Sequence, residues 1–356
     1  MSDGPVFDWS ALPAVTAELP GVGGVLRSTL DDFRVVEEPS YLPQGSGSHL
    51  YLYVRKRGVT TRALVSALQA AGVPDARIGV AGLKDKHAVT EQWISIPWGQ
   101  AEAADALDEL EGVEVVTRNR HKNKLGTGHL RGNRFEVTVR DVSADAEARA
   151  RAVLDRLVAG GAPNYFGPQR FGRFGRNAVD GLKLLRGEQV PGDRRLQRFF
   201  VSAVQSHLFN RLLADRIVDG LYDTVLPGDW ARRLDSGGVF RVEDAAEGAR
   251  AARLEITALL PLHGRKVRIS SDEPGRREEE ALAALGLRWR DLVGRRGDRR
   301  PSRVVPRDVE VQALPDGLRV AFALPKGAYA TSVLREVTKT AVDAPVPSPT
   351  HDAASP

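Results

Sequence analysis

Apolar and polar residues alternate with period two over much of the first 160 residues, interrupted by stretches in which apolar positions recur every three to four. Period two marks half-buried strands and period 3.6 marks helices. Residues 25–36 contain a candidate strand pair, with FRVVE as its second member, and YLPQGSGSH at 41–49 is a turn-rich connection. LYLYVRK at 50–56, IGVA at 78–81, residues 92–96 and RFEVTVR at 134–140 are further predicted strands. Thr60 and Thr61 cap a predicted helix whose apolar face is Ala63, Leu64, Ala67, Leu68 and Ala71, with Gly72 as its stop. Helices are also predicted over 101–110 and 144–159, the second ended by Gly160 and Gly161.

The character changes beyond Pro163. Residues 163–303 are predicted to be mainly helical, with helices at 177–185, 195–219 and 278–285 separated by Gly- and Arg-rich loops such as GRRGDRRP at 294–301. Strands return at 309–314 and 318–324, followed by a helix at 330–339. A length of 356 residues fits two domains better than one. The order of elements suggests one domain interrupted by another: residues 1–160 with 305–341 around an insertion at 161–304, and a disordered tail at 342–356, VDAPVPSPTHDAASP. The expected fold class is α/β in the α+β sense, with a mixed, largely antiparallel sheet.

Composition narrows the chemistry. With no cysteine, disulfides and thiolate metal sites are excluded, and the seven histidines form no close pair at ligand spacing, so no metal site is expected. No apolar run approaches membrane-spanning length, and MSDGPVFDW lacks a basic start followed by an apolar stretch. A cytoplasmic protein without membrane contact is expected. The net charge of +5 is compatible with a polyanion, and its distribution says more. Arg118, Arg120, His121, Lys122, Lys124, Arg131 and Arg134 crowd one stretch with Gly126, Gly128 and Gly132 among them. Such a loop can approach phosphates closely, and it also reads as an ordinary solvated basic face. GTGHLRG at 126–132 has one residue too many before its last glycine for a dinucleotide loop and lacks a preceding apolar strand; no Walker pattern is present. No cofactor is expected.

AGLKDKHAVTEQW, residues 81–93, sets Asp85 between Lys84 and Lys86 in a polar turn flanked by apolar segments. Neighbouring cations favour the ionised carboxylate, and such a carboxylate can serve as a nucleophile. On spacing alone the segment also reads as a solvated turn of alternating charge.

This segment resembles the signature of the TruD family of tRNA pseudouridine synthases, which modify the uridine at position 13. DDFRVVEEP at 31–39 precedes it; RHKNKLGTGHLRGNRF at 120–135, PNYFGPQRFGR at 163–173, FFVSAVQSHLFNRLLADR at 199–216 and LPKGAYATSVLREV at 324–337 follow it in the family's order. The resemblance runs from about residue 20 to about residue 340. It implies a pseudouridine synthase catalytic fold interrupted by a family-specific insertion, tRNA as partner, no cofactor and a monomer. One departure is Lys86, where many members carry Arg, which keeps the charge but loses the planar fork.

By the same resemblance Asp85 is the catalytic carboxylate. Its role is either attack on the sugar or uracil, or proton abstraction from the sugar. Arg27 in GVLRSTLDDF is its candidate cationic partner, and equally a surface arginine at a strand start. Glu37 in FRVVEEP orders the cation or pocket, or is an exposed strand-end acid. In GNRF, Asn133 and Phe135 share one side of an extended chain. The resemblance gives Phe135 a stacking role on the target base and Asn133 an active-site contact, whereas the alternation of Phe135, Val137 and Val139 suits a core strand. Lys84, Lys86, Lys122, Lys124, Arg131, Arg170 and Arg173 are candidate RNA-binding cations. Phe166 and Phe171 suit core packing. The helix from Gln205 to Arg216 reads as core, with Asn210 and Arg211 exposed. The expected activity is isomerisation of uridine to pseudouridine at position 13 of tRNA. The alternative is a non-catalytic RNA-binding or RNA-folding protein on the same scaffold. An RNA methyltransferase is disfavoured by the lack of a glycine-rich cofactor loop.

Overall fold

The structure is a computed structural model that describes residues 8–172 and 175–340. Two compact units are present. The first comprises Val22–Ala150 with Arg307–Gly327. Its strands are β1 (Gly23–Leu26), β2 (Phe33–Pro39), β3 (His49–Arg57), β4 (Gly79–Val80), β5 (Val89–Pro97), β6 (Val113–His121) and β7 (Leu130–Val142), joined by Arg307–Leu314 and Gly317–Pro325. The sheet runs Arg307–Leu314, Gly317–Pro325, β7, β2, β5, β3, β6, with β1 on β7 and β4 on β5. Only β2 and β5 pair in parallel, so the sheet is mixed and largely antiparallel as expected.

Two local expectations change. β1 and β2 do not pair with each other: Leu26 lies opposite Val139 and Phe33 opposite Val137, both on β7. The chain between them steps from one stretch of that strand to the next, and Arg27 takes the step at φ 59°. The helix predicted at 101–110 is a 3₁₀ segment, Trp98–Ala104, and a single α-turn, Asp105–Asp108. Two short turns are enough to bury Ala103, Ala104 and Leu107, and the chain then ends on Gly112 at φ 76°.

The helix Thr61–Ala70 forms as its pattern predicts. The Thr60 hydroxyl oxygen accepts from the Ala63 N–H at 3.0 Å, and Gly72 ends the turn at φ 92°. Leu64 and Leu68 pack on Leu50, Leu52, Val54, Ile94 and Ile96. Each such buried side chain contributes about 1.5–3 kcal/mol.

The second unit comprises Arg151–Pro306, the chain leading to Gly21 and the chain from Ala328. Its centre is the helix Arg194–Val218, against which Arg176–Leu185 packs closely. A Cβ at Gly181 would sit 2.2 Å from the Phe200 carbonyl oxygen, so glycine permits the approach. The three predicted helices are present, the third starting earlier, at Asp272, but the segment also holds strands that the helical reading missed. A four-stranded antiparallel sheet orders Val239–Arg241, Trp230–Arg233, Ile256–Leu262 and Asp298–Pro301. Ile256–Leu262 is apolar but for the buried Thr257, and period alone does not separate a buried strand from a buried helix. Asp298–Pro301, expected to be loop, becomes a strand by pairing with it.

Asn210 is also corrected. It is buried, accepting from the Phe166 N–H at 2.8 Å and donating to the Phe166 carbonyl at 2.9 Å. Arg211 is exposed, paired with Asp215. Phe166 and Phe171 are core residues of this unit. In the C-terminal helix Ala330–Thr338, the buried Glu336 carboxylate accepts from the Val15 and Thr16 backbone N–H groups and from the Thr16 hydroxyl. Among the described residues no helix is long and apolar enough to cross a membrane. The tail at 342–356 lies outside them.

Candidate active site

β4 and β5 are antiparallel neighbours, and the segment 81–88 joins them. The close pairing needs glycine at 79, where a Cβ would meet the Ser95 hydroxyl oxygen at 2.3 Å and the Leu125 carbonyl at 2.4 Å. The segment is not a freely solvated turn. The Ala81 carbonyl accepts from the Gly128 N–H at 2.8 Å, and the Lys84 N–H donates to the Thr61 hydroxyl oxygen at 2.9 Å. That hydroxyl donates in turn to the Gln92 side-chain oxygen at 2.7 Å. The Lys56 ammonium donates to the Asp85 carbonyl at 2.8 Å and the Val59 carbonyl at 2.6 Å. Its backbone thus fixed at several points, the segment still leaves the Asp85 side chain 45% exposed and Leu83 73% exposed.

Three cations surround Asp85 in different ways. The Arg27 guanidinium lies 3.6 Å from an Asp85 carboxylate oxygen and is itself largely buried. It sits over the Phe33 ring at 4.3 Å, an arrangement that a guanidinium plane favours over an ammonium. Lys84, next to Asp85 in sequence, points elsewhere. Its ammonium is 5% exposed and pairs at 2.6 Å with Glu37, which is 1% exposed. The expectation that Lys84 binds RNA is therefore corrected: an interior ion pair holds it, and releasing it would leave a buried carboxylate alone. Glu37 is not the exposed strand-end acid of the alternative, because its second oxygen accepts from the Trp93 N–H at 3.2 Å. Lys56 is fully buried. Burial pushes its ammonium down to about 8, Asp85 opposing and Lys84 adding to the shift.

Asn133 lies opposite Glu37 across β2 and β7, and Phe135 lies opposite Val35. Their side chains share the face that carries Glu37 and Phe33. Phe135 is 8% exposed, edge-on to Phe33 at 6.4 Å and tilted on Phe322 at 5.7 Å. Aromatic contacts thus run from Phe322 through Phe135 and Phe33 to the Arg27 guanidinium that meets Asp85. The Asn133 side-chain oxygen is buried without a hydrogen-bond partner among the described residues. A cavity of about 560 Å³ opens at this end of the sheet, lined by Glu37, Pro39, Tyr41, Arg131 and Arg307 among others.

The remaining candidate cations divide by pairing. Lys86, Lys122 and Arg131 are exposed and make no ion pair among the described residues. Lys124 is half-buried and donates to the Ala76 carbonyl. Their neighbours are engaged: Arg118 with Asp105 and Asp108, Arg134 with Glu310, and Arg120 with the Gly47 carbonyl. In the other unit Arg170 is half-buried over Phe166 and Phe199. Arg173 lies outside the described residues.

Sequence reasoning passed over Lys56 and Phe33, although both carried a signal. Leu50, Leu52, Val54 and Lys56 continue one alternation, and all four are buried. Phe33, Val35 and Glu37 do the same on β2.

The model of the family described as tRNA pseudouridine synthase D (TruD) matches residues 12–190 and 188–337. The chain is 49% identical over 335 residues to a tRNA pseudouridine synthase D of Thermus thermophilus, covering 94% of each protein. It is 48% identical over 345 residues to that of Anaeromyxobacter dehalogenans strain 2CP-C, covering 94% of this chain and 98% of the relative. The crystal structure of the tRNA pseudouridine synthase D from Methanosarcina mazei superposes with a TM-score of 0.72 at 25% identity, over 93% of this chain and 97% of that one. With matches over almost its whole length, in sequence and in fold, the chain belongs to the tRNA pseudouridine synthase D (TruD) family.

Proposed function

We propose that this protein isomerises uridine to pseudouridine in tRNA, at position 13, with Asp85 as the reacting carboxylate. In the net reaction the C1′–N1 bond breaks, a C1′–C5 bond forms, and the proton displaced from C5 is balanced by one gained at N1. No redox carrier or energy source is consumed. The observation that carries the assignment is the Arg27–Asp85 pair at 3.6 Å: a carboxylate half-open to solvent, on a backbone tied down at several points, with one largely buried guanidinium against it. That guanidinium stays beside the carboxylate as a charge partner when an incoming nucleotide displaces its water.

The other residues take roles that suit a base removed from its stack. The unfilled Asn133 oxygen is an acceptor for the uracil N3–H. Phe135, 8% exposed, stacks on the base. Glu37 holds Lys84 and, through it, the segment that carries Asp85. Lys86, Lys122 and Arg131 meet phosphates, as do Arg170 and Arg173, while Lys124 is held by the Ala76 carbonyl. The catalytic part of the chain is assigned to Val22–Ala150 with Arg307–Gly327, narrower than the 1–160 and 305–341 suggested by element order. The protein acts as a cytoplasmic monomer, without a cofactor.

Asp85→Asn tests the assignment, because it keeps size and polarity and removes the charge. Pseudouridine, mapped chemically at single-nucleotide resolution in unmodified tRNA, should disappear. The tRNA Kd should stay within about tenfold, ~1.4 kcal/mol. Substantial turnover by the variant removes Asp85 from the reaction. A wild-type protein that binds tRNA yet leaves every uridine unchanged establishes the non-catalytic alternative.

A further inference from the structure

The unit that contains Arg151–Pro306 carries a second concavity, of about 380 Å³, on one face of its four-stranded sheet. Trp230, Arg232, Lys266, Arg268 and Arg296 line it, and Asp298 is the only acid there among the described residues. Arg299 also reaches the wall, but its guanidinium is engaged inside, on Glu278 at 3.0 Å and on the Leu259 and Arg268 carbonyls. The other four cations make no ion pair among the described residues. Four uncommitted positive groups around one acid form a site for an anion.

The wall is built to hold a shape. The Arg265 N–H donates to the Arg295 carbonyl at 2.7 Å, and the Gly297 N–H donates back to the Arg265 carbonyl at 3.0 Å. The two strands of this clamp approach so closely that a Cβ on Gly264 would sit 2.6 Å from the Gly297 nitrogen. Lys266 then turns at φ 71°. On the opposite side the Trp230 indole N–H donates to the Ile269 carbonyl at 3.2 Å, which fixes the ring. The Arg268 guanidinium lies over that ring at 4.9 Å. In the wall, the Arg232 Nε is buried without an acceptor.

We propose that this pocket holds a single unpaired nucleotide of the tRNA, distinct from the uridine that reacts at Asp85. A base extends the Trp230–Arg268 stack, since bases stack both on aromatic rings and on guanidinium planes. Its flanking phosphates meet Lys266 and Arg296. The volume suits one nucleotide and is too small for a duplex. The aromatic–guanidinium stack separates the site from a plain phosphate patch. The inference rests on tRNA as the substrate, and its test reads binding separately from isomerisation.

The experiment uses the full chain and unmodified tRNA, with Kd measured over a range of salt. Lys266→Gln combined with Arg296→Gln should raise Kd about tenfold or more. It should also lower the slope of log Kd against log salt by about two phosphates, each worth ~0.7–0.9. Trp230→Leu leaves every charge in place and should raise Kd about tenfold with the slope unchanged. In both variants KM should follow Kd; the charge variant should melt at the wild-type temperature, and Trp230→Leu, which loses the bond to the Ile269 carbonyl, should melt a few degrees lower while remaining folded. Ultraviolet cross-linking of the wild type should join Trp230 or its neighbours to one unpaired tRNA nucleotide. Unchanged Kd and slope in correctly folded variants overturn the proposal, as does a cross-link confined to other peptides. If the wild type binds tRNA without forming pseudouridine, the assignment of Asp85 chemistry fails while these binding measurements still decide the pocket.

Discussion

At the scale of single residues, the site depends on where two lysines and one arginine send their charges. Lys84 is spent on Glu37, Arg27 comes from another strand to meet Asp85, and Lys56 holds the Asp85 carbonyl from within. Lys56→Met removes a buried donor from two carbonyls, each left unsatisfied at a cost of about 1–3 kcal/mol. Turnover should fall at least tenfold with tRNA affinity little changed, as single-turnover and binding assays would read. The folded-state value of Lys56, about 8, lies below its ordinary 10.5. Between these values the unfolded chain binds more protons than the folded one, so stability rises with pH across that window, and the burial penalty is fully present below about 8. Denaturant midpoints measured from pH 8 to pH 10.5 should show this rise in the wild type and lose it in the methionine variant. Phe135 poses a different question, because its ring packs between Phe33 and Phe322 while sharing a face with Asn133. Phe135→Leu should cost about 1–3 kcal/mol of stability through lost packing. A ring that also stacks on the base adds a loss on the order of 1–3 kcal/mol in the reaction itself. The folded fraction should therefore turn over tenfold or more slowly; normal turnover by that fraction would make Phe135 core alone.

At the scale of elements, the connection from β6 to β7 divides a run of basic residues that the sequence presents as one cluster. Arg118, Arg120 and Arg134 are held by acids or a carbonyl on neighbouring segments, whereas Lys122 and Arg131 remain in solvent. Lys124 already donates to the Ala76 carbonyl. Replacing Lys122, Lys124 and Arg131 together by glutamine should weaken tRNA binding and flatten its salt dependence by about two released counterions' worth rather than three, ~0.7–0.9 in slope for each. A slope identical to the wild type would place this connection away from the RNA. The elements themselves follow the periodicity closely where strands alternate, as on β3, and where a cap and a glycine frame a helix, as at Thr61–Ala70. The pattern fails where an element is almost wholly apolar, as in Ile256–Leu262, and where a charged segment such as Asp298–Pro301 becomes a strand only because a partner lies beside it.

At the scale of the whole molecule, stability is tied to groups that folding strips of water. His263 is fully buried beside Trp289, and burial pushes its imidazole down to about 3. The unfolded chain binds more protons than the folded one between that value and the ordinary 6.5, so the contribution of the neutral ring is complete above 6.5 and is lost as pH falls towards 3. His263→Leu should make the melting temperature less sensitive to acid over that range, as scanning calorimetry at stepped pH would show; a parallel decline in variant and wild type would assign the acid sensitivity to other groups. The sequence by itself determined the mixed α+β class, most strand and helix positions in Val22–Ala150, and the family, because alternation, caps, glycine stops and ordered motifs are all local and survive in one dimension. Asp85 stood out for the same reason. What only the tertiary structure decided is the pairing between distant segments. Spacing alone set Lys84 and Lys86 beside Asp85 and only the family resemblance offered Arg27, 58 positions away; packing turned Lys84 to Glu37 and set the Arg27 guanidinium against Asp85. A buried carboxylate such as Glu37 must find a partner, and which cation reaches it is fixed by strand register and close packing rather than by spacing along the chain.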